Sequence, residues 1–229
     1  GAIFTRHARE IAIAAREGGG DPDSNFTLRL AIDRAKAANM PNDNIDRAIA
    51  KGTGTDKDGV SLEQIVYEGY APHGVALVID CVTDNRNRTV SDLRHVLTKN
   101  NGSLGEGGSV AWQFTQIAFY AFAPQGKSED EIFELAIEAG ADDVDYTDEM
   151  VELVGPVDTF KSIGDALKNA GIKIEDAGLR MKANQEIELG PQETLKVMRV
   201  IEELEDLDDV QILSSNLSIS DEALAELQA

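Results

Sequence analysis

Cysteine, aromatic side chains and positive charge are all scarce in this chain of 229 residues, which also has no long apolar run. Its one cysteine, Cys81, excludes an intrachain disulfide framework and favours a reducing compartment, either the cytoplasm or an organelle matrix such as that of a mitochondrion. Because Cys81 lies inside the apolar run "GVALVIDCV", we expect a small buried residue rather than a reactive thiol. No run approaches the ~20 apolar residues of a transmembrane helix, so no membrane partner is expected.

The shortage of positive charge is confined to one half of the chain. The whole sequence has 21 Lys and Arg against 42 Asp and Glu, a formal net charge of −21. Residues 1–100 hold 13 basic and 14 acidic residues, a net of −1, and residues 101–229 hold the other 8 and 28, a net of −20. Since an acidic surface repels phosphate, any nucleic-acid face is expected in the first half.

Apolar residues recur at helical spacing three times before residue 57. The first run ends at "GGG", the second follows "DPDSN", and the third begins at Pro41 and Asn42, with Asn42 as the expected N-cap and Gly52 as its end. The polar, Gly-rich tract "GTGTDKDGV" is typical of a linker. Residues 1–57 are therefore predicted to form a small helical domain.

The rest of the chain alternates between strand and helix patterns. "GVALVIDCV" predicts a central strand, "TVSDLRHVLTKN" a helix capped by Thr89, and "SVAWQFTQ" and "IAFYAFA" two antiparallel strands. A helix from Pro191 and the strand "VQILSSNLSI" complete a ferredoxin-like β-α-β-β-(insert)-α-β order. We therefore predict an α+β protein with a helical domain and two α/β domains, residues 58–124 plus 187–229 and an inserted acidic domain at 125–186. Two consecutive α/β domains are the alternative.

One short stretch, "DNRNRT", places arginines where an anion would bind. Arg86 and Arg88 lie between the predicted strand and helix, where free N–H groups and the helix dipole favour an anion, and guanidinium groups suit phosphate. Asn85 and Asn87 could bind sugar or base edges, or shape the turn. The alternative is a solvated turn whose arginines pair with Asp84 or Asp92.

Other basic and aromatic residues offer weaker candidates. Arg6, Arg9 and Arg16 follow one side of the first helix, and Arg47 and Lys51 form a basic i,i+4 pair; such residues contact phosphate or are merely solvated. Tyr67 and Tyr70 could stack on bases or cover the sheet. The Gly-rich stretch "NNGSLGEGGS" is a permissive turn or, less simply, part of an anion site; it lacks the Lys of a P-loop.

No constellation typical of catalysis is present. His7, His73 and His95 lack metal-ligand spacing with one another or with Cys81, and neither a nucleophile elbow nor a dinucleotide fingerprint occurs. The acidic run "EELEDLDD" is interpreted as a solvated helix end. We predict a protein that is not an enzyme, with no catalytic residues, no metal, no cofactor and no small-molecule substrate.

Several longer stretches resemble the YebC family, which includes the mitochondrial translational activator of cytochrome c oxidase. The resemblance runs from Ile3 to about Ser220 and includes "LEDLDDVQ". It is specific in "YEGY", "TDNRNRT" and "NGSLGEGGSVA" and loose between residues 117 and 190. It implies a helical first domain and two α/β domains around a cleft. Members usually begin with a segment rich in Lys, Arg, His and Trp ahead of the position matching Gly1, and such an arm would make the net charge less negative than −21.

The resemblance implies a regulator of gene expression that binds nucleic acid. Members are usually labelled DNA-binding transcriptional regulators, and some are understood as ribosome-associated translation factors. Because the cations form islands rather than a continuous basic surface, we expect ribosomal or messenger RNA, and possible partnership with the ribosome, more than duplex DNA. The alternative is a protein-interaction or small-ligand regulatory module that acts through the acidic C-terminal half.

Overall fold

The computed structural model describes residues 2–55, 62–219 and 221–228. It begins with three helices, α1 (Ala2–Gly18), α2 (Phe26–Ala37) and α3 (Asn42–Thr53). Their apolar faces share one core that includes Ile11, Leu28 and Ile45. Asn25 joins the first two helices, because its side-chain oxygen caps α2 at the Leu28 N–H and its amide donates to the Ala14 and Gly19 carbonyls. The three predicted helices are thus present, although Pro41 rather than Asn42 holds the N-cap position of α3.

Helices α1 and α3 approach each other at a glycine. A Cβ placed on Gly52 would lie 2.2 Å from the Ala12 carbonyl oxygen and 2.9 Å from the Ala15 Cβ. The backbone of α1 occupies the space that any other residue would need. Gly52 therefore sets the contact between the two helices. Helix α3 continues past this predicted end to Thr53, and its C-cap is Gly54, which has a φ of +77°.

Residues 62–115 and 182–219 build the first sheet. Its strands are β1 (Glu63–Tyr70), β2 (Ala76–Thr83), β3 (Ser103–Leu104) and β9 (Val210–Ser215), in the order β3-β1-β2-β9. Strand β2 is an inner strand that pairs antiparallel with β1 and β9, and every residue of it except Asp80 is buried. Helices α4 (Arg86–Lys99) and α7 (Pro191–Glu205) contribute Leu93, Val197 and Leu204 to the same core. The short parallel pair β8 (Ile187–Glu188) and β10 (Leu217–Ser218) and helix α8 (Asp221–Gln228) complete this part of the chain.

The second sheet has the order β5-β6-β4-β7, from β4 (Phe114–Phe122), β5 (Asp143–Tyr146), β6 (Val151–Gly155) and β7 (Asp176–Ala183). Helices α5 (Glu129–Glu138) and α6 (Phe160–Asn169) accompany it, and its buried side chains include Tyr120, Phe122, Ile132, Leu153, Ile163 and Leu167. The chain divides into two compact units, residues 1–115 with 182–229 and residues 116–181.

The predicted α+β fold class is confirmed, and individual strands differ from the prediction. The two strands expected at "SVAWQFTQ" and "IAFYAFA" are one strand, β4, preceded by a short 3₁₀ helix at Ala111–Gln113. Strands β1 and β5 are not predicted from the sequence pattern, because exposed and half-buried residues dominate both. The linker prediction falls mainly on residues 56–61, outside the described residues. The division into three domains stays a prediction.

Replacing Gly52 by alanine tests the close approach of α1 and α3. Alanine favours a helix over glycine by up to ~1 kcal/mol, but the added methyl group would meet the Ala12 carbonyl. We expect Gly52→Ala to lower the free energy of unfolding by about 1–3 kcal/mol, as overpacking does. Urea denaturation would measure it beside Gly107→Ala, where the nearest atom is 3.9 Å away. An unchanged or increased stability in Gly52→Ala would contradict the packing argument.

Candidate nucleic-acid interface

The turn into α4 is built from side-chain hydrogen bonds. The Thr83 hydroxyl donates to the Asn85 carbonyl at 3.0 Å and accepts from the Asn85 N–H at 2.9 Å. Asn85 is the N-cap, because its Oδ1 accepts from the Arg88 N–H at 3.1 Å. The four residues predicted at the site, 85–88, therefore form the cap and first turn of α4 rather than a loop ahead of the helix.

The prediction that Thr89 is the N-cap is wrong. Thr89 lies inside α4, is buried, and donates its hydroxyl to Asp209 Oδ2 at 2.7 Å as well as to the Asn85 carbonyl at 3.1 Å. Both Thr89 and Asn85 suit a cap by residue type, and the turn at Thr83 selects the earlier position. The hydroxyl of Thr89 is thereby left to bind a carboxylate that lies 120 residues further along the chain.

Asp209 gathers two of the predicted arginines around one buried carboxylate. Only 4% of the residue is exposed. Its Oδ1 accepts from Arg9 Nη1 at 2.6 Å and from Arg88 Nη2 at 2.8 Å, and Oδ2 accepts from Arg88 Nε at 3.2 Å and from Thr89. Burial alone would raise the pKa of Asp209, but the hydrogen bonds from Arg88, Thr89 and Arg9 outweigh it and lower the pKa. The ionised carboxylate is therefore the form that this cluster holds.

The other partners of these arginines also belong to the protein. Arg9 donates to the carbonyls of Asp208 at 2.7 Å and Val82 at 3.1 Å, and Arg6 donates to the carbonyls of Glu205 and Leu207. Hydrogen bonds to Asp209 and Asp84 raise the pKa of Arg88, which stays charged. The interpretation of residues 202–209 as a solvated helix end holds for the exposed residues Asp206 and Asp208 and is wrong for Asp209.

The remaining predicted cations keep more of their surface in water. The Arg86 side chain is 66% exposed, and its Nε donates to Glu63 Oε2 at 2.7 Å. Arg16 and Arg47 are exposed and Lys51 is half-buried, and none of these three makes an ion pair within the part of the chain that the structure describes. Asn87 is exposed on α4 beside Arg86.

The outward side of α4 forms an open groove of about 740 Å³ that sequence reasoning missed. We call it the α4 face, and its residues are Asn87, Val90, Ser91, Arg94, His95, Thr98 and Lys99. Arg94 is exposed and makes no ion pair among the described residues, whereas Lys99 pairs with Glu203. The helical period could have found this face, because Leu93, Val96 and Leu97 point to the core and leave these positions outside.

The Gly-rich loop does not join this site. The loop contacts the far end of β1, where the Gly105 N–H donates to the Glu68 carbonyl at 2.7 Å, whereas Arg86 contacts Glu63 at the start of the strand. Five residues of strand separate the two positions by roughly 17 Å. Tyr67 packs against the sheet core, and the Tyr70 hydroxyl accepts from the Gln113 side chain at 3.1 Å.

The described residues include the candidate metal ligands and the thiol considered in the sequence. They contain no group of three or more His, Cys, Asp or Glu side chains that could hold a metal ion. Cys81 is buried, as predicted, and burial raises the pKa of its thiol to about 12. Among the described helices, none has the length and apolar character needed to cross a bilayer.

Comparison with known proteins identifies the family of the chain. The family described as "TACO1/YebC protein N-terminal domain" matches residues 1–55, and "TACO1/YebC second and third domain" matches residues 62–217. A protein of Roseiflexus castenholzii is 50% identical over 99% of this chain and 90% of its own length, and one of Chlorobium chlorochromatii is 47% identical over 99% and 91%. Both carry the name "Probable transcriptional regulatory protein". The crystal structure of a conserved hypothetical protein from Aquifex aeolicus has a TM-score of 0.87 at 40% identity, covering 98% of this chain and 92% of that one.

The two family matches together span nearly all of the chain, and the likeness in structure covers the same range. The fold is that of a multidomain α+β regulator family. The chain belongs to the TACO1/YebC family.

Asp209→Asn tests the cluster at the turn. The substitution keeps the shape of the side chain but leaves Arg9 and Arg88 without their shared anion, and breaking a buried ion pair in this way costs about 3–5 kcal/mol. We expect that loss of unfolding free energy at pH 7 in urea denaturation. Asp208→Asn, an exposed neighbour, should change it by no more than about 0.5 kcal/mol.

The same variant should change how stability depends on pH. Because the pKa of Asp209 is lowered in the folded protein, its contribution is present above the unfolded value of about 3.9 and is lost as the pH falls through the folded value. The difference in stability between the native protein and Asp209→Asn should therefore be largest at neutral pH and shrink below about pH 4. A difference that stays constant from pH 7 to pH 3 would contradict a lowered pKa.

Proposed function

We propose that this protein regulates gene expression by binding nucleic acid, and that RNA, as on the ribosome, is the target rather than duplex DNA. The name of the relatives, "Probable transcriptional regulatory protein", supports a regulatory role. The observation that carries the binding proposal is the α4 face, where Arg94 has no carboxylate partner among the described residues. Arg86 lies at the start of the same helix and is 66% exposed, although it pairs with Glu63.

The distribution of charge supports RNA over a long duplex. Residues 116–181 have 5 basic against 15 acidic residues, a net of −10, so that unit repels phosphate. Arginines 9 and 88 already neutralise Asp209, which leaves a small number of cations free to meet phosphates. A few phosphate contacts at one island suit a folded RNA, whereas non-specific duplex binding draws its affinity from many.

Within this proposal Arg94 and the residues predicted from the sequence divide by role. Arg86, Asn87 and Arg94 contact the RNA, and Arg16, Arg47 and Lys51 offer a second island on the first helices. Asn85, Arg88, Arg6 and Arg9 act through the structure, because their side chains cap α4 or tie α1 and α4 to residues 205–209. Substituting Arg88 would thus confuse a binding defect with a loss of stability.

The alternative function, a module that binds a basic protein, has one observation in its favour. Helix α5 exposes Phe133 and Ile137, each 52% accessible, between the acidic residues Glu129, Asp130, Glu134 and Glu138. An apolar strip with an acidic rim fits a basic amphipathic segment. Charge reversal at Glu134 and Glu138 would weaken such a partner and leave RNA binding unchanged.

Removing two arginines should weaken RNA binding. With a fluorescein-labelled single-stranded RNA of 12 nucleotides, we expect Arg86→Ala with Arg94→Ala to raise Kd about tenfold, or ~1.4 kcal/mol, in an anisotropy titration. If each arginine meets one phosphate, the slope of log K against log salt should fall by about 1.4, since each contact on a single strand contributes ~0.7.

The matched control is Lys161→Ala with Lys168→Ala, which removes two exposed charges from α6. This control variant should bind RNA as the native protein does, because α6 lies outside the proposed RNA contact. A general effect of net charge would instead weaken binding equally in both double variants. Pelleting with ribosomes across a salt series would extend the test to the proposed target. Tighter binding to a duplex DNA of 12 base pairs than to the single-stranded RNA would overturn the preference for RNA.

A further inference from the structure

Trp112 is the most exposed large apolar side chain in the described part of the molecule, at 72%. It is also the single tryptophan of the sequence. Burying an aromatic ring of this size is strongly favourable, and nothing in the described chain covers it. The exposed ring is therefore a candidate binding surface for a ligand.

The indole ring is held in place rather than left to rotate. Its Nε1 donates to the Ser109 carbonyl at 3.0 Å. The backbone that precedes the ring is held by Glu68, a buried carboxylate that accepts from the N–H groups of Gly108 at 2.6 Å, Val110 at 2.9 Å and Ala111. Burial alone would raise the pKa of Glu68, but the hydrogen bonds from these three N–H groups outweigh burial, so the pKa is lowered.

The carboxylate of Glu68 therefore acts as the anchor of the loop at residues 105–111. An ionised buried group is costly unless it is fully hydrogen-bonded, and here the backbone supplies the donors. A ring presented on such a support loses little conformational entropy when it binds a ligand.

The residues bonded to Trp112 or next to it in the chain are polar. The Asn184 amide donates to the Trp112 carbonyl at 3.3 Å and accepts from the Thr115 hydroxyl. Gln113 is tied to Tyr70, and Ser109, Thr115 and Asn184 are exposed. A protein interface of standard size needs an apolar centre of several residues, which these neighbours do not provide.

The loop carries no cation for a phosphate. Glu106 is the one charged residue between Gly105 and Ala111, and it would repel the backbone of a nucleic acid. One flat ring among amide and hydroxyl groups matches instead the uncharged part of a nucleotide, a base with a π-face and a polar edge.

We propose that Trp112 is a stacking site for an unpaired nucleobase, an inference that rests on the proposed binding of RNA. Bases in a duplex already stack on their neighbours, so the site selects single-stranded or looped RNA. Asn184, whose amide donates to the Trp112 carbonyl, is the exposed polar side chain bonded to this residue and a candidate for contact with the edge of the base.

The fluorescence of the native protein reports on this site directly, because the chain has one tryptophan. The probe is an unlabelled single-stranded RNA of 12 nucleotides, with the same strand in a blunt RNA duplex for comparison. We expect the single strand to quench Trp112, with a midpoint equal to the Kd from anisotropy of the labelled strand. The duplex should quench it much less.

Two variants separate stacking from apolar contact. Trp112→Leu keeps apolar bulk and removes the π-face, and should raise the Kd for the single strand about tenfold. Trp112→Phe keeps a ring and should raise it less than about threefold. Because the side chain is exposed, both variants should unfold thermally as the native protein does.

The outcomes distinguish this inference from the proposed function. Binding seen by anisotropy without quenching, together with native affinity in Trp112→Leu, would overturn the stacking site and leave RNA binding intact. No anisotropy change with any RNA would overturn the proposed function and this inference with it. Equal affinity of Trp112→Leu and Trp112→Phe would show a merely apolar contact, as at a protein interface, and would also overturn the proposal.

Discussion

The buried carboxylate of Asp209 is the interaction on which the first unit depends. It receives Arg9 from α1 and Arg88 and Thr89 from α4, and it lies just before β9. Three segments that are far apart in sequence therefore meet at one charge. Leaving either arginine or the carboxylate without its partner inside the protein would be costly, so the elements are held together by a requirement for mutual neutralisation as well as by the apolar core.

This requirement also decides which cations remain for a ligand. Four arginines of the first helix and of "DNRNRT" that look alike in the sequence are not equivalent in the structure. Arg6 and Arg9 bind carbonyl and carboxylate groups of residues 205–209, Arg88 divides its donors between Asp84 and Asp209, and Arg86 stays mostly exposed. An acidic protein can thus retain a small basic face, because its buried anions are neutralised from within and do not need that face.

Much of the fold could be predicted from periodicity, and much of the site could not. The helices at 26–37 and 191–205 and the inner strand β2 follow from apolar spacing, since each buries one face or nearly all of its residues. Strand β1 was missed because it shows no clean alternation. Thr89 was mistaken for the cap, since the hydrogen bond from Thr83 that selects Asn85 depends on a turn geometry that composition does not reveal. The same helical periodicity could have predicted the α4 face.

By itself the sequence determined the family, the α+β class and the concentration of negative charge in the second half, because these depend on residue identity and local order. Only the tertiary structure decided which arginines are available, that Asp209 is buried while Asp208 is exposed, and that Glu68 anchors the loop before Trp112. The reason is that a hydrogen bond between residues 9 and 209, or 68 and 110, exists only once the chain has brought them within about 3 Å. The number of charges follows from the sequence, whereas the partner of each charge depends on the tertiary structure.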